Sequence, residues 1–139
     1  MNVLDQRKRI GNCGEQFATD ELTSIGYHLI ARNWRDRSGE LDVVVCSSIE
    51  SLIIFVEVRT RVFHGQRSQH PLASNEEMLG WALESVDAKK QRQIRQLAKR
   101  FLHAHPAFLS YNVRFDVIAV LIDSELRQLI ALNRVESAF

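Results

Sequence analysis

Asp42 and Glu57 are acids set inside two of the most apolar stretches of the chain, GELDVVV (39–45) and IIFVEVRT (53–60). Both stretches read as β-strands, and strand side chains alternate between faces. Glu40 and Asp42 then share one face while Leu41 and Val43 take the other. In the next strand Phe55, Glu57, Arg59 and Arg61 share a face. If the strands pair as a hairpin around 47–51, Asp42 and Glu57 lie side by side at its open end. Two close buried carboxylates repel and lose hydration, a cost on the order of several kcal/mol unless a cation compensates. Mg²⁺ is a natural compensator, taking oxygen ligands at about 2.0–2.1 Å. Such an ion polarises a phosphodiester and activates water. Ion pairs from these acids to Arg59, Arg61 or Arg114 are the competing reading, and spacing alone leaves both open.

The elements that must position these acids follow from periodicity. Residues 5–25 read as a helix: Ile10, Cys13, Phe17, Ala18, Leu22 and Ile25 fall within one arc, Glu15 sits at its edge, and Gly26 stops it. Strands are expected over 27–34, 40–47 and 51–60, the last two rich in Val and Ile as in strands buried on both faces. Residues 63–80 read as a long loop. A second helix is expected over 87–104, with Asp87 at its N-cap and Ile94, Leu97, Ala98, Phe101 and Leu102 as its apolar stripe. Strands over 113–123 and 126–133 follow. The order is α-β-β-β-α-β-β, a mixed sheet with flanking helices.

The bulk numbers narrow the field. A chain of 139 residues suits one domain with a real core. A net charge of +1 does not announce a nucleic-acid binder, so any such signal must lie in how the charges are distributed. Cys13 and Cys46 form no metal-ligand spacing and read as buried free thiols. No signal-peptide core and no apolar run of membrane-spanning length is found, so a soluble, cytoplasmic protein without a membrane partner is expected.

The segments GNCGE (11–15), ARNWR (31–35), GELD (39–42), FVEVRTR (55–61), GWALESV (80–86) with KKQRQI (89–94), and RFDVIAV (114–120) occur in the order seen in the YraN-like proteins. NRVESAF at the end also resembles that family's closing segment. The chain thus resembles, over nearly its whole length, a bacterial family placed in the PD-(D/E)xK nuclease superfamily, near Holliday-junction resolvases and tRNA-endonuclease-like domains. The resemblance implies a restriction-endonuclease-like α/β fold over 1–139 and an Mg²⁺- or Mn²⁺-dependent endonuclease. Its substrate would be nucleic acid, DNA rather than RNA, and a homodimer is implied by analogy. Asp42 matches the Asp of the superfamily's first motif, Glu57 the acid of (D/E)xK, and Glu15 the helix-borne Glu that helps hold metal.

Arg59 departs from the pattern, standing where the family usually has Lys. Arg supplies charge and a bidentate phosphate contact but cannot act as a base. Either Arg59 only stabilises the transition state, or another group replaces the lysine, or hydrolysis is lost and a nucleic-acid-binding module remains. Lys90, at the edge of the second helix's buried stripe, is the candidate replacement, with a snorkelling surface lysine as the alternative. A second departure is the loop: Gly80 takes the place of a family glycine, which leaves 63–79 as an insertion containing His64 and His70, read as solvated bystanders.

Nucleic acid is expected to meet a basic surface. Lys89, Arg92, Arg95 and Lys99 on the second helix, with Arg61, carry it; Arg92, Arg95 and Lys99 make one face opposite the core stripe. Trp34 is expected to cap the sheet and Trp81 to pack the loop, with stacking on unpaired bases as the alternative. Arg114 and Asp116 are expected to form an ion pair closing one end of the core.

Overall fold

The computed structural model describes residues 2–64, 75–125 and 127–139. Its elements are α1 (Val3–Ser24), β1 (His28–Asp36), β2 (Gly39–Ser47), β3 (Leu52–Phe63), α2 (Asn75–Ser85), α3 (Ala88–Ala104), β4 (Asn112–Asp123) and β5 (Leu129–Val135), with a short 3-10 turn at Pro106–Phe108. The five strands form one sheet in the order β1-β2-β3-β4-β5. β3 and β4 are parallel and every other pair is antiparallel. A parallel pair needs a long crossover, and here it carries α2 and α3. This is a mixed α/β architecture consistent with a restriction-endonuclease-like fold.

The order is α-β-β-β-α-α-β-β, one helix more than the sequence predicts. The expected loop over 63–80 is a strand end at Phe63 and a helix from Asn75; the intervening 65–74, including His70 and most of the expected insertion, lies outside the described residues. α2 buries Met78 and Ala82, four residues apart, and half-buries Trp81. Its stripe is short and is interrupted by Gly80, a residue that costs about 1 kcal/mol in a helix interior. Both features disguise the period.

β2, β3 and β4 carry apolar residues on both faces because each face is covered. α1 lays Ala18 and Leu22 on Val43, Val45, Ile54, Val56, Ile118 and Val120. α2 and α3 lay Ala82, Ile94, Leu97 and Phe101 on Val44, Phe55, Val117 and Ala119. Asn2 caps α1, accepting from the Asp5 amide at 2.8 Å, and Asp87 caps α3, accepting from the Lys90 amide at 2.8 Å. α1 ends where Gly26 takes a φ of +104°. Trp34 packs edge-on against Phe101, ring centroids 5.4 Å apart.

At the other end of the sheet Asp116, 2 % exposed, takes a two-pronged contact from Arg114, both bonds 2.9 Å, and accepts from the Ser137 amide at 3.1 Å. This is the expected ion pair, and it holds the guanidinium above its ordinary proton affinity. Cys13 and Cys46 are free thiols, the latter buried and its pKa raised by that burial. Among the described residues no helix is long and apolar enough to cross a membrane.

Candidate active site

The cleft forms where the ladder between β2 and β3 stops. Their pairing runs from Ser47↔Leu52 to Val43↔Val56, and Asp42 and Glu57 are the next residues on each strand. There the backbone bond is replaced by a side-chain bond: Asp42 Oδ2 accepts from the Val58 amide at 2.9 Å. Alternation also breaks at this point. Leu41 packs on the α2/α3 side while Val43 packs on the α1 side, so the two do not share a face as strict alternation predicts. The neighbouring strand shows the distortion: Asn33, between the pairs Arg32↔Val43 and Trp34↔Leu41, has a φ of +52°. Asn tolerates that left-handed conformation better than most residues.

The ends of the two strands bring the carboxyls of Asp42 and Glu57 within hydrogen-bonding contact, which raises the proton affinity of Glu57 and lowers that of Asp42. Glu57 is only 5 % exposed. Burial first, and then the charge of Asp42, push its pKa up to about 8. Burial raises that of Asp42 as well. Two cations partly offset this. Arg59 Nη2 stands 3.2 Å and Lys90 Nζ 3.7 Å from the same oxygen, Glu57 Oε1. Lys90 thus comes from α3 into the cleft beside Arg59.

α1 supplies the third acid. Gly14 is what lets the helix approach: a Cβ there would collide with the Thr60 side chain on β3. The next residue, Glu15, is thereby pressed against the sheet. Burial and then Asp42 raise its pKa to about 7, against a hydrogen bond from Asn33 and the charge of Arg32, 3.7 Å away. Its Oε2 is buried and accepts no hydrogen bond.

The acids that converge most closely are Glu15, Glu40 and Asp42, each with an oxygen within 4.8 Å of the others. The sequence reading put Glu57 in the metal set with Glu15 and Asp42. The geometry adds Glu40 to Glu15 and Asp42, while Glu57, which lines one cavity with Glu15 and Asp42, has an oxygen held by Arg59 and Lys90. An octahedron with bonds of about 2.1 Å sets its oxygens about 3.0–4.2 Å apart, so small rotations suffice for these three to share one ion. Oxygen-only donors, a buried carboxylate oxygen that accepts no hydrogen bond and mutually repelling charges all fit a hard divalent cation. Glu40 also pairs with Arg35 at 2.9 Å.

Glu15 walls two cavities. One, of about 480 Å³, is lined by Asp42, Glu57, Arg59 and Thr60 with Arg7, Trp81 and Ser85 among others. The second, of about 500 Å³, is lined by Lys8, Asn12, Asn33, Arg35 and Glu40. Arg7 and Lys8 are cations the sequence reading did not assign to the site; their only local signal is the charged start of α1.

The cations of the expected basic surface lie on α3 and at the end of β3. Lys89, Arg92 and Lys99 are exposed on α3. Arg95 is exposed beside them, and its guanidinium also lies over the rings of Phe115 and Phe139, at 5.1 and 5.4 Å from their centroids. Arg61 lies over Trp81 at 4.9 Å. Trp81 is therefore a helix residue at the mouth of the cleft rather than part of a loop. His64 lines a cavity of about 230 Å³ with Arg127 and Ser124, apart from the acids.

Residues 14–120 match the family described as "Uncharacterised protein family UPF0102". A "UPF0102 protein" of Stutzerimonas stutzeri is 34% identical over 136 residues, covering 98% of each chain. Another, of Mycolicibacterium gilvum, is 38% identical over 122 residues, covering 88% of each. One of Desulforamulus reducens is 34% identical over 120 residues, covering 86% of this chain and 87% of that one.

Proposed function

The chain belongs to the UPF0102 family, the YraN-like family that its motifs resemble, and from that premise and the cleft geometry we propose a divalent-metal-dependent nuclease of the PD-(D/E)xK type. The observation that carries the reading is the convergence of Glu15, Glu40 and Asp42 oxygens within 4.8 Å, beside a Glu57 pinned by Arg59 and Lys90. Glu15, Glu40 and Asp42 would hold Mg²⁺ or Mn²⁺, which when bound supplies Lewis-acid polarisation of a phosphodiester and a more acidic water. Arg59 neutralises charge on the phosphate and, being unable to lose its proton, does nothing else. Glu57, in the ionised form that Arg59 and Lys90 favour against burial, is the group placed to take a proton from the attacking water. Lys90 supplies the ammonium that the motif position lacks. Arg7 and Lys8 draw the polyanion toward the acids. DNA is the polymer proposed, and a homodimer the assembly, both on the resemblance to resolvase-like nucleases.

The second reading, a module that binds nucleic acid without cutting it, is favoured by one observation: Arg59 occupies the motif position and is already committed to Glu57. Calorimetry and cleavage assays separate the two. Wild type is expected to bind Mg²⁺ and Glu15→Gln to lose most of that binding. Branched, nicked and single-stranded DNA are then incubated with Mn²⁺ and wild type, Arg59→Lys or Lys90→Ala. Cleavage by wild type that is lost in Lys90→Ala supports the nuclease. If neither wild type nor Arg59→Lys cuts any substrate, the enzyme reading fails and the binding module stands.

A further inference from the structure

Next to the acid cleft lies a cavity of about 490 Å³ whose described lining includes Arg61, Phe63, Glu77, Met78, Trp81 and Leu121. It falls in the size range of small-molecule sites. It adjoins the acid cleft, since Val62 and Trp81 line both. Its walls are of a consistent chemistry. The Arg61 guanidinium lies over the Trp81 ring at 4.9 Å, a layered platform that a further flat ring extends. Met78 is buried and fixed, its sulfur accepting from Asn133 Nδ2 at 3.2 Å.

The occupant that this chemistry suits is flat, aromatic and uncharged, joined to an anionic backbone that stays outside. We infer that this cavity receives an unpaired nucleobase of the strand whose phosphate lies in the acid cleft. The inference rests on the proposed nucleic-acid function and deepens it by naming a substrate class: single-stranded or locally unpaired DNA. The spacing agrees. Arg61 is four residues beyond Glu57 on β3, about 13 Å at roughly 3.3 Å per residue, the span of a few nucleotides at about 3.4 Å per stacked base. Base stacking on an aromatic platform is tolerant of sequence, so the site selects for unpaired structure rather than for a particular base.

The test uses the two tryptophans. In Trp34→Phe the remaining indole is Trp81, and its fluorescence reports on the cavity. Three labelled probes are compared by anisotropy with Ca²⁺ in place of Mg²⁺ to prevent cleavage: a thymidine 12-mer, an abasic strand of equal length, and a 12-base-pair duplex. The thymidine strand is expected to quench Trp81 and to bind about 10-fold tighter than the abasic strand. Trp81→Leu should bind both strands within about twofold of each other, Trp81→Phe should keep most of the preference, and Arg61→Gln should lose part of it. Equal binding of the thymidine and abasic strands, or a preference that survives Trp81→Leu, overturns the assignment while leaving nucleic-acid binding intact. Quenching by a phenylalanine-containing peptide but not by the thymidine strand gives the cavity to a protein side chain and also overturns it. Binding of none of the three probes defeats the nucleic-acid function itself, and this inference with it.

Discussion

Glu57 makes the metal-free protein lose stability as pH rises. Its ordinary pKa of 4.5 is the unfolded value, and the fold raises it to about 8. The folded state therefore holds a proton that the unfolded chain releases, and stability falls between these two values. It is fully present below pH 4.5 and lost as the pH passes through 8. The full difference corresponds to about 5 kcal/mol. Asp42 titrates with it, so a measured loss of about 2–5 kcal/mol is expected. That is a large part of the roughly 5–15 kcal/mol that holds a domain together. Glu57→Gln, a permanent mimic of the neutral acid, should match wild type near pH 5 and exceed it near pH 9 when both are unfolded by urea in a chelator. Adding Mg²⁺ should recover wild-type stability above pH 7, where Glu15, with its pKa near 7, is free to ligate, and saturation at about 100 times Kd adds about 2.7 kcal/mol. A wild-type curve that is flat or rising from pH 5 to 9 in chelator, or a Glu57→Gln variant with an unchanged slope, refutes this account of the cleft.

Two further outcomes follow from packing. Gly14→Ala drives a methyl into Thr60, so about 1–3 kcal/mol of stability and most of the Mg²⁺ affinity should be lost together. Adding Thr60→Ala should restore part of both, since the Thr60 Cβ, still 2.9 Å from the new methyl, remains; chemical denaturation and calorimetry read the pair. Arg95→Ala should lower the melting temperature by unstacking Phe115 and Phe139, whereas Arg92→Ala should leave it unchanged and reduce the salt dependence of DNA affinity by about one released ion.

Much of the fold was readable because the relevant signals are local. Val- and Ile-rich runs mark β2, β3 and β4, Asp87 marks the start of α3, and a period near 100° marks α1. Arg114 and Asp116, two apart on one strand, were legible as a pair for the same reason. α2 was hidden by Gly80 and by its few apolar residues. In the site, Asp42 and Glu57 were found as acids in apolar strands, and their contact follows from hairpin geometry. Alternation already put Glu40 on the face of Asp42, but its approach to Glu15 was not visible, because it depends on how α1 docks on the sheet. Arg7, Lys8 and the docking of Arg95 on Phe139 depend on distant parts of the chain meeting, so no window of sequence displays them.

The parallel pairing of β3 with β4 joins Leu52 to Asn112 and continues through Phe63 and Asp123, twelve rungs between segments sixty positions apart. Such closure is slow compared with a hairpin. The acids all come from the first sixty residues, whereas Lys90 reaches Glu57 only once the crossover has docked. The charge balance of the cleft thus depends on the crossover: with α3 undocked the acids lack that ammonium, and a divalent ion would stabilise them the more.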